Sequence, residues 1–495
     1  MKKILTLLLA LWMLTGCVAM AAENQLVVGS TTAMSGAFFT DLFGSNTADM
    51  DVRALLHGYN LMSWDNETGT YQINDSVVAG MAVSKDAQNN RVYTFDLYGD
   101  LKFSDGSAIT AKDYAFSILL TASPELAKLG GQSAAVGAIL GMDAYQSGKS
   151  SVLRGVRLLS DTQMSITISK AYEPYFYEMA LFDYSPYPIS VLAPGCKVVD
   201  TEKGVGIVNA SGTGDAIFTA ALLQKTILDA ATGYMSHPSV VSGPYTLTSY
   251  DAQSGTASFA INPYYKGNEE GEKPTIETIV YRSVANDEAI DLLLSGEVDL
   301  LNKMVAADTV SKGIQSIADQ PFSVANYPRS GLSMISFSCE RQTVSSKAVR
   351  QAIASCFDRD ALVKAYTGNF GLKANGYFGI GQWMYQLAAG TIQPPVVDLP
   401  ANATAKETAA YEKTVAQWDA LSLDKLKDYS LDLDQAAKLL DQDEWRLGKD
   451  GIRAKKIDGK TVALDLTLIY PEGNAVGDAL NATLTENLAS IGVRL

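Results

Sequence analysis

The sequence predicts an α/β fold spread over more than one domain. Short runs of alternating apolar residues recur along the chain. They are interleaved with stretches whose apolar positions fall at helical spacing. The end of the chain shows this most clearly. Leu464, Leu466 and Leu468 alternate with Asp465 and Thr467, and Val476, Leu480, Leu484, Leu488 and Ile491 then mark one helix face. Gly492 stops that helix, and Val493-Arg494-Leu495 begins a further strand. The total of 495 residues, 47% hydrophobic and 19% charged, suffices for two or three domains with a sizeable core.

The first elements read as an address. Lys2-Lys3 precede the eleven-residue run Ile4 to Leu14, which is too short to span a bilayer, and Leu14-Thr15-Gly16-Cys17 completes a lipobox. Residues 1–22 are therefore expected to be a lipoprotein signal and short tether. Cys17 would be the lipidated mature terminus, and the protein would act outside the cytoplasm, anchored to the membrane by lipid. Ala19-Met20-Ala21 also fits a cleavage site for plain secretion.

Gln25 to Ser30 reads as a strand followed by a small, polar loop, Thr31 to Gly44, in which Phe38 and Phe39 are set. Val92 to Leu97 alternates as a half-buried strand; Leu101 to Phe103 is a short one, turned by Ser104-Asp105-Gly106. Thr110 with Asp113 resembles a capping box for the helix that follows. Val156–Leu159, Met164–Ile168, Tyr245–Tyr250 and Ile276–Arg282 read as strands, with Asn262-Pro263 as a turn. Glu288 to Leu294 forms a helix stopped by Ser295-Gly296. Ser333 to Ser338 reads as a strand. From Ser346, the positions Val349, Ala352, Ile353, Cys356 and Phe357 follow helical spacing, and Asp358 caps a second helix that Gly368 stops. Residues 385–425, rich in Ala, Thr and Lys, look like a surface insertion.

Composition excludes several functions. The net charge is −15, and −17 once Lys2 and Lys3 are removed, so nucleic acid is not an expected partner. Cys196, Cys339 and Cys356 form no CxxC pair, and the latter two read as small buried apolar residues. His57 and His237 stand alone, and neither a GxSxG motif nor a P-loop is present. A metal site, a cofactor and catalysis are accordingly not expected; a surface hydrolase would need a nucleophile and base of which no recognisable pair is seen.

In order along the chain, Arg91 to Ser117 (RVYTFDLYGDLKFSDGSAITAKDYAFS), Ser242 to Leu247 (SGPYTL), Asn262 to Gly267 (NPYYKG), Leu294 to Leu300 (LSGEVDL) and Val349 to Leu362 (VRQAIASCFDRDAL) resemble the signature blocks of the family 5 extracellular solute-binding proteins, the peptide, dipeptide and nickel receptors of ABC importers. The resemblance implies a two-lobed periplasmic-binding-protein-like clamshell of the large three-subdomain type. Lobe I would hold 25–327, with a subdomain inserted at about 62–190. Lobe II would hold 328–495, incomplete at its C-terminus. It further implies a monomeric receptor that captures a peptide between the lobes and delivers it to permease subunits. Nickel-chelate or other small-solute binding, or a truncated paralogue without transport function, stand as alternatives. Met34, Ser35, Gly36, Phe38 and Phe39, in the loop after the first strand, are expected to contact ligand. So are Trp383 and Tyr385, in a Gly-rich segment that resembles a cleft-lining loop. In the family, the acidic residue that holds a peptide's free amine lies beyond the position where this chain stops, so the natural domain is expected to continue past Leu495.

Overall fold

The computed structural model describes residues 24–65, 70–132, 137–172, 178–327, 331–368, 370–392, 399, 403–471 and 474–495. The export signal, Cys17 and Ala19-Met20-Ala21 lie outside them. The described residues form two compact units, 24–65 with 71–303, and 304–495.

The first unit is built on a five-stranded sheet in the order Tyr245–Asp251, Thr256–Ile261, Thr278–Ser283, Gln25–Ser30, Leu300–Asn302. The Gln25–Ser30 strand runs parallel to both neighbours, in register from Gln25 opposite Thr278 to Ser30 opposite Ser283. The other pairings are antiparallel. Helix Thr47–Leu56 buries Ala48, Val52 and Leu56 in one core with Val28, Phe38, Phe259 and Tyr281. A second antiparallel sheet has the order Val78–Lys85, Arg91–Leu97, Gln163–Ile168, Val156–Leu158. Tyr93, Phe95 and Leu97 point inward there, as the alternation requires, and pack in one core with helix Ala111–Thr121. That helix starts with the expected capping box: the Asp113 carboxylate accepts from the Thr110 amide at 2.8 Å. A three-stranded sheet of Val152–Leu153, Gly204–Asn209 and Cys196–Thr201 completes this layer.

Residues of the signature blocks turn out to be structural. Asp105 accepts from the Ser107 amide and hydroxyl at 2.9 and 2.6 Å, and Gly106 takes φ 83°. Buried Asn262 donates to the Gly243 carbonyl at 2.8 Å and accepts from the Tyr264 amide at 3.0 Å. Gly243 donates to the Leu56 carbonyl at 2.8 Å, and a Cβ there would stand 2.4 Å from the Leu55 carbonyl oxygen. Only glycine lets this segment close on the end of the helix.

In the second unit, helices Lys347–Ala354, Leu433–Gln442 and Ala475–Ser490 enclose Val349, Ile353, Cys356, Leu440, Trp445, Leu484 and Leu488. Ser346 and Asp358 cap their helices as expected, and Gly368 ends the Arg359–Thr367 helix at φ 63°. A hairpin sheet, Arg446–Leu447, Arg453–Ile457 and Lys460–Ala463, packs beside them. Arg453, only 7% exposed, donates to Ile491 O at 2.6 Å, Trp445 O at 2.7 Å and Asp441 Oδ1 at 2.6 Å.

Several sequence expectations need correction, among them the strand at Leu101–Phe103, where only an isolated bridge from Lys102 to Ala108 forms. Residues 333–338 keep the alternation, with Ile335 and Phe337 half-buried on the core, but no strand forms there. Alternation sets facing, whereas a strand also needs a partner edge. Leu464–Leu468 likewise forms only one parallel bridge, Asp465 to Arg494, although that bridge sits where the βαβ reading puts it. Within 385–425 the fifteen-residue helix Ala405–Asp419, capped by Thr404 and Glu407, has no buried residue, in keeping with a surface segment. Its Ala, Lys and Glu content is helix-forming in itself. Cys339 lies exposed in a turn, whereas Cys356 is buried, and burial pushes its thiol up to about 12.

Candidate ligand-binding site

The site begins where the Gln25–Ser30 strand ends. A strand with parallel neighbours on both sides delivers its following loop to the carboxyl edge of the sheet, where open α/β folds take ligands. The loop is shaped by Asp49, in the first turn of helix Thr47–Leu56 and fully buried. Its carboxylate accepts from the Ser35 amide at 2.9 Å, the Ser35 hydroxyl at 2.6 Å and the Gly36 amide at 3.2 Å. It also completes a capping box with Asn46, whose side-chain amide donates to Ala33 O at 2.8 Å. Gly36 sits at φ 85°, a left-handed turn that folds the loop back.

One turn further along the helix, Arg53 Nη1 donates to Ala37 O and Ser45 Oγ, both at 2.8 Å. At the helix C-cap, His57 Nε2 lies 3.0 Å from Phe38 O. Burial, the largest influence, lowers the His57 pKa to about 4, against the raising effect of that carbonyl. The ring is therefore neutral at pH 7, and its Nε2–H donates to the carbonyl. The Phe38 amide donates to Met235 O at 2.9 Å, which joins the loop to the 228–236 segment.

Between these two stretches lies a pocket of about 500 Å³, inside the roughly 300–1,000 Å³ range of small-ligand sites. Ser35, Gly36, Phe43, Ser45 and Asn46 form one wall; Leu228, Asp229, Met235 and Ser236 form the other. A second pocket, of about 330 Å³, shares Phe43 and Gly44 and adds Asp41, Leu42, Gly130 and Gln132.

The residues expected to touch ligand divide sharply. Ser35 and Gly36 line the larger pocket. Met34 is buried in the sheet core. Phe38 and Phe39 are 0% and 2% exposed. The Phe38 ring stands edge-on to Tyr250 at 4.6 Å, and Phe39 packs against Tyr187 and Tyr234 at 4.7 and 5.0 Å, so both rings are taken up by the core. Trp383 and Tyr385 belong to the second unit, half-buried on a short helix, Trp383–Ala388, rather than on a loop. Sequence reasoning missed Asp229, Met235 and Ser236. The Asp229-x-x-Thr232-Gly233 turn chemistry was visible, but nothing local announces that it packs on a loop nearly two hundred residues upstream. No group of three or more metal-ligating side chains occurs among the described residues.

Solved structures share this fold. Lactococcal OppA, crystallised with an endogenous peptide in the closed conformation, matches with TM-score 0.64 and 19% identity over 95% of this chain and 76% of that one. The oligopeptide-binding protein of Thermus thermophilus, complexed with a pentapeptide, gives TM-score 0.59 and 18% identity over 95% and 72%. These are α/β binding proteins of the large periplasmic type. The chain itself belongs to the bacterial extracellular solute-binding proteins, family 5, whose sequence profile matches residues 76–495. It is 26% identical over 423 residues to the oligopeptide-binding protein OppA of Lactococcus lactis subsp. lactis (strain IL1403), which covers 83% of this chain and 57% of that protein. Against the periplasmic oligopeptide-binding protein OppA of Escherichia coli (strain K12) it is 24% identical over 305 residues, 60% of this chain and 48% of that protein. The chain thus spans only about half the length of these relatives. The family is one of solute-binding proteins and not of enzymes.

Proposed function

We propose that this protein is the extracytoplasmic substrate-binding component of an ABC importer, capturing peptides and passing them to permease subunits. The reading rests on the family match across residues 76–495, together with relatives that are themselves named oligopeptide-binding proteins. The pocket beside the first loop suits this role. It combines a hydrogen-bonded wall with apolar Phe43, Leu228 and Met235. Within this reading, residues 25–327 and 328–495 act as the two lobes, with 62–190 inserted in the first, and the protein works as a monomer. Cys17 carries lipid that holds it at the membrane surface.

Calorimetric titration of the full chain with pools of two- to eight-residue peptides tests the capture step. Binding without turnover is expected, and peptide at a hundredfold excess over Kd should stabilise the fold by about 2.7 kcal/mol. A folded chain that ignores every pool sinks the proposal. Intact-mass analysis of membrane-extracted protein tests the anchor: a diacylated Cys17 terminus is expected, and a chain cleaved after Ala21 rules it out.

A further inference from the structure

We propose that Asn375-Gly376 is a self-modification site, at which Asn375 deamidates through a succinimide while Arg359 stabilises the oxyanion formed on the way. This is the one Asn-Gly pair in the sequence. Glycine matters here because the attacking atom is the next residue's amide nitrogen, and a side chain on that residue would crowd its approach. The pair lies in a bend outside any helix or strand, and Gly376 is exposed at φ 132°. Among the described residues neither the Asn375 side-chain NH2 nor the Gly376 amide has a hydrogen-bond partner. Nucleophile and leaving group are both available.

Arg359 prepares the carbonyl between them. Its Nη2 donates to Asn375 Oδ1 at 2.9 Å. Further bonds to Tyr429 O at 3.3 Å, Ala374 O at 3.4 Å and the Asp428 carboxylate fix the guanidinium in place. The Gly376 nitrogen gives its proton to solvent base and bonds to Asn375 Cγ. The carbonyl electron pair moves onto Oδ1, where the new negative charge faces the guanidinium. Collapse breaks the Cγ–Nδ2 bond, and the leaving nitrogen takes a proton from water and departs as ammonia. Water then opens the succinimide. Attack at Cγ restores the ordinary backbone and leaves aspartate; attack at the backbone carbonyl carbon leaves isoaspartate. Arg359 polarises the Cγ carbonyl and so directs water toward aspartate. The product also changes its surroundings. Arg359 and Lys373 now balance Asp360 and Asp428, with Lys373 Nζ 2.7 and 2.9 Å from those two carboxylates. A carboxylate at position 375 adds a third anion and competes with Asp428 for Arg359. It does so directly before Tyr377 and Phe378, two exposed aromatic residues.

The test ages the full chain at mildly alkaline pH, folded and in urea, and follows the 375–376 segment by peptide mapping and mass spectrometry. In the unfolded chain Arg359 stands sixteen residues away along the sequence and gives no help. The folded chain is expected to deamidate about tenfold faster than the unfolded one. That is less than the roughly hundredfold effect of a donor in a water-excluded oxyanion hole, because this site is open to solvent. The folded product should also be richer in aspartate relative to isoaspartate. Asn375→Gln, whose longer side chain closes a larger ring more slowly, should abolish the mass change; persistence there places the reaction elsewhere and overturns the assignment. Arg359→Gln should bring the folded rate down to the unfolded one. A folded rate at or below the unfolded rate, or an Arg359→Gln rate as high as wild type, overturns the role of Arg359 and the inference with it. The folded-to-unfolded comparison uses the wild-type chain, so it decides the matter even where the Arg359 variant fails to fold. Peptide binding does not enter, and the receptor reading stands or falls separately.

Discussion

At the residue scale, Asp49 and His57 show how one helix shapes the loop beside it. Asp49 takes two amides and a hydroxyl of that loop on a fully buried carboxylate. Its removal leaves those donors unpaired, and charge-assisted bonds are the costly ones to lose. Asp49→Ala is expected to lower stability by about 3 kcal/mol in urea unfolding. A loss under about 0.5 kcal/mol, the scale of an ordinary surface change, would show that the loop is held elsewhere. His57 yields a pH dependence. Its folded pKa, about 4, lies below the ordinary 6.5. Between those values the unfolded chain binds a proton that the folded one refuses. Stability therefore falls as pH drops from about 6.5 to about 4 and levels off below, with a total loss of at most about 3 kcal/mol. Comparing wild type and His57→Gln across that window isolates this contribution; identical slopes would assign the pH dependence to other groups.

At the scale of elements, buried Arg453 ties the hairpin sheet to two helices. It bonds Ile491 O at the end of Ala475–Ser490 and Asp441 on Leu433–Gln442. Arg453→Met keeps the stem but strips three acceptors of their donor. A loss of about 3 kcal/mol is expected, because breaking a buried charged network costs more than the network contributes net. Chemical denaturation followed by Trp445 fluorescence reads it, and an unchanged midpoint would mean that water replaces the guanidinium at no cost. The caps of these elements were legible in advance. Thr110 with Asp113, Ser346 and Asp358 satisfy amides within three residues of themselves, a purely local matter. The strand pairings were not. Residues 333–338 and 464–468 have the alternation of strands but lack an extended ladder, because a ladder depends on a partner distant in sequence.

At the scale of the whole molecule, two units with separate hydrophobic cores make simple two-state unfolding the wrong expectation. Scanning calorimetry is expected to resolve two transitions, and Arg453→Met should lower only the one belonging to residues 304–495. A single transition that moves as a whole would show that the units unfold together.

The family, the α/β class, a minority of the elements, such as Gln25–Ser30, Arg91–Leu97 and Ala111–Thr121, and the loop that bears Ser35 and Gly36 could be read from the sequence alone. Alternation, helical spacing and capping are set by neighbours a few residues away. The tertiary structure alone decided that Phe38 and Phe39 turn into the core rather than line the pocket, and that Asp229 and Ser236 form its opposite wall. Burial and pocket walls depend on which distant segments meet, and that choice is made by the packing of the whole unit.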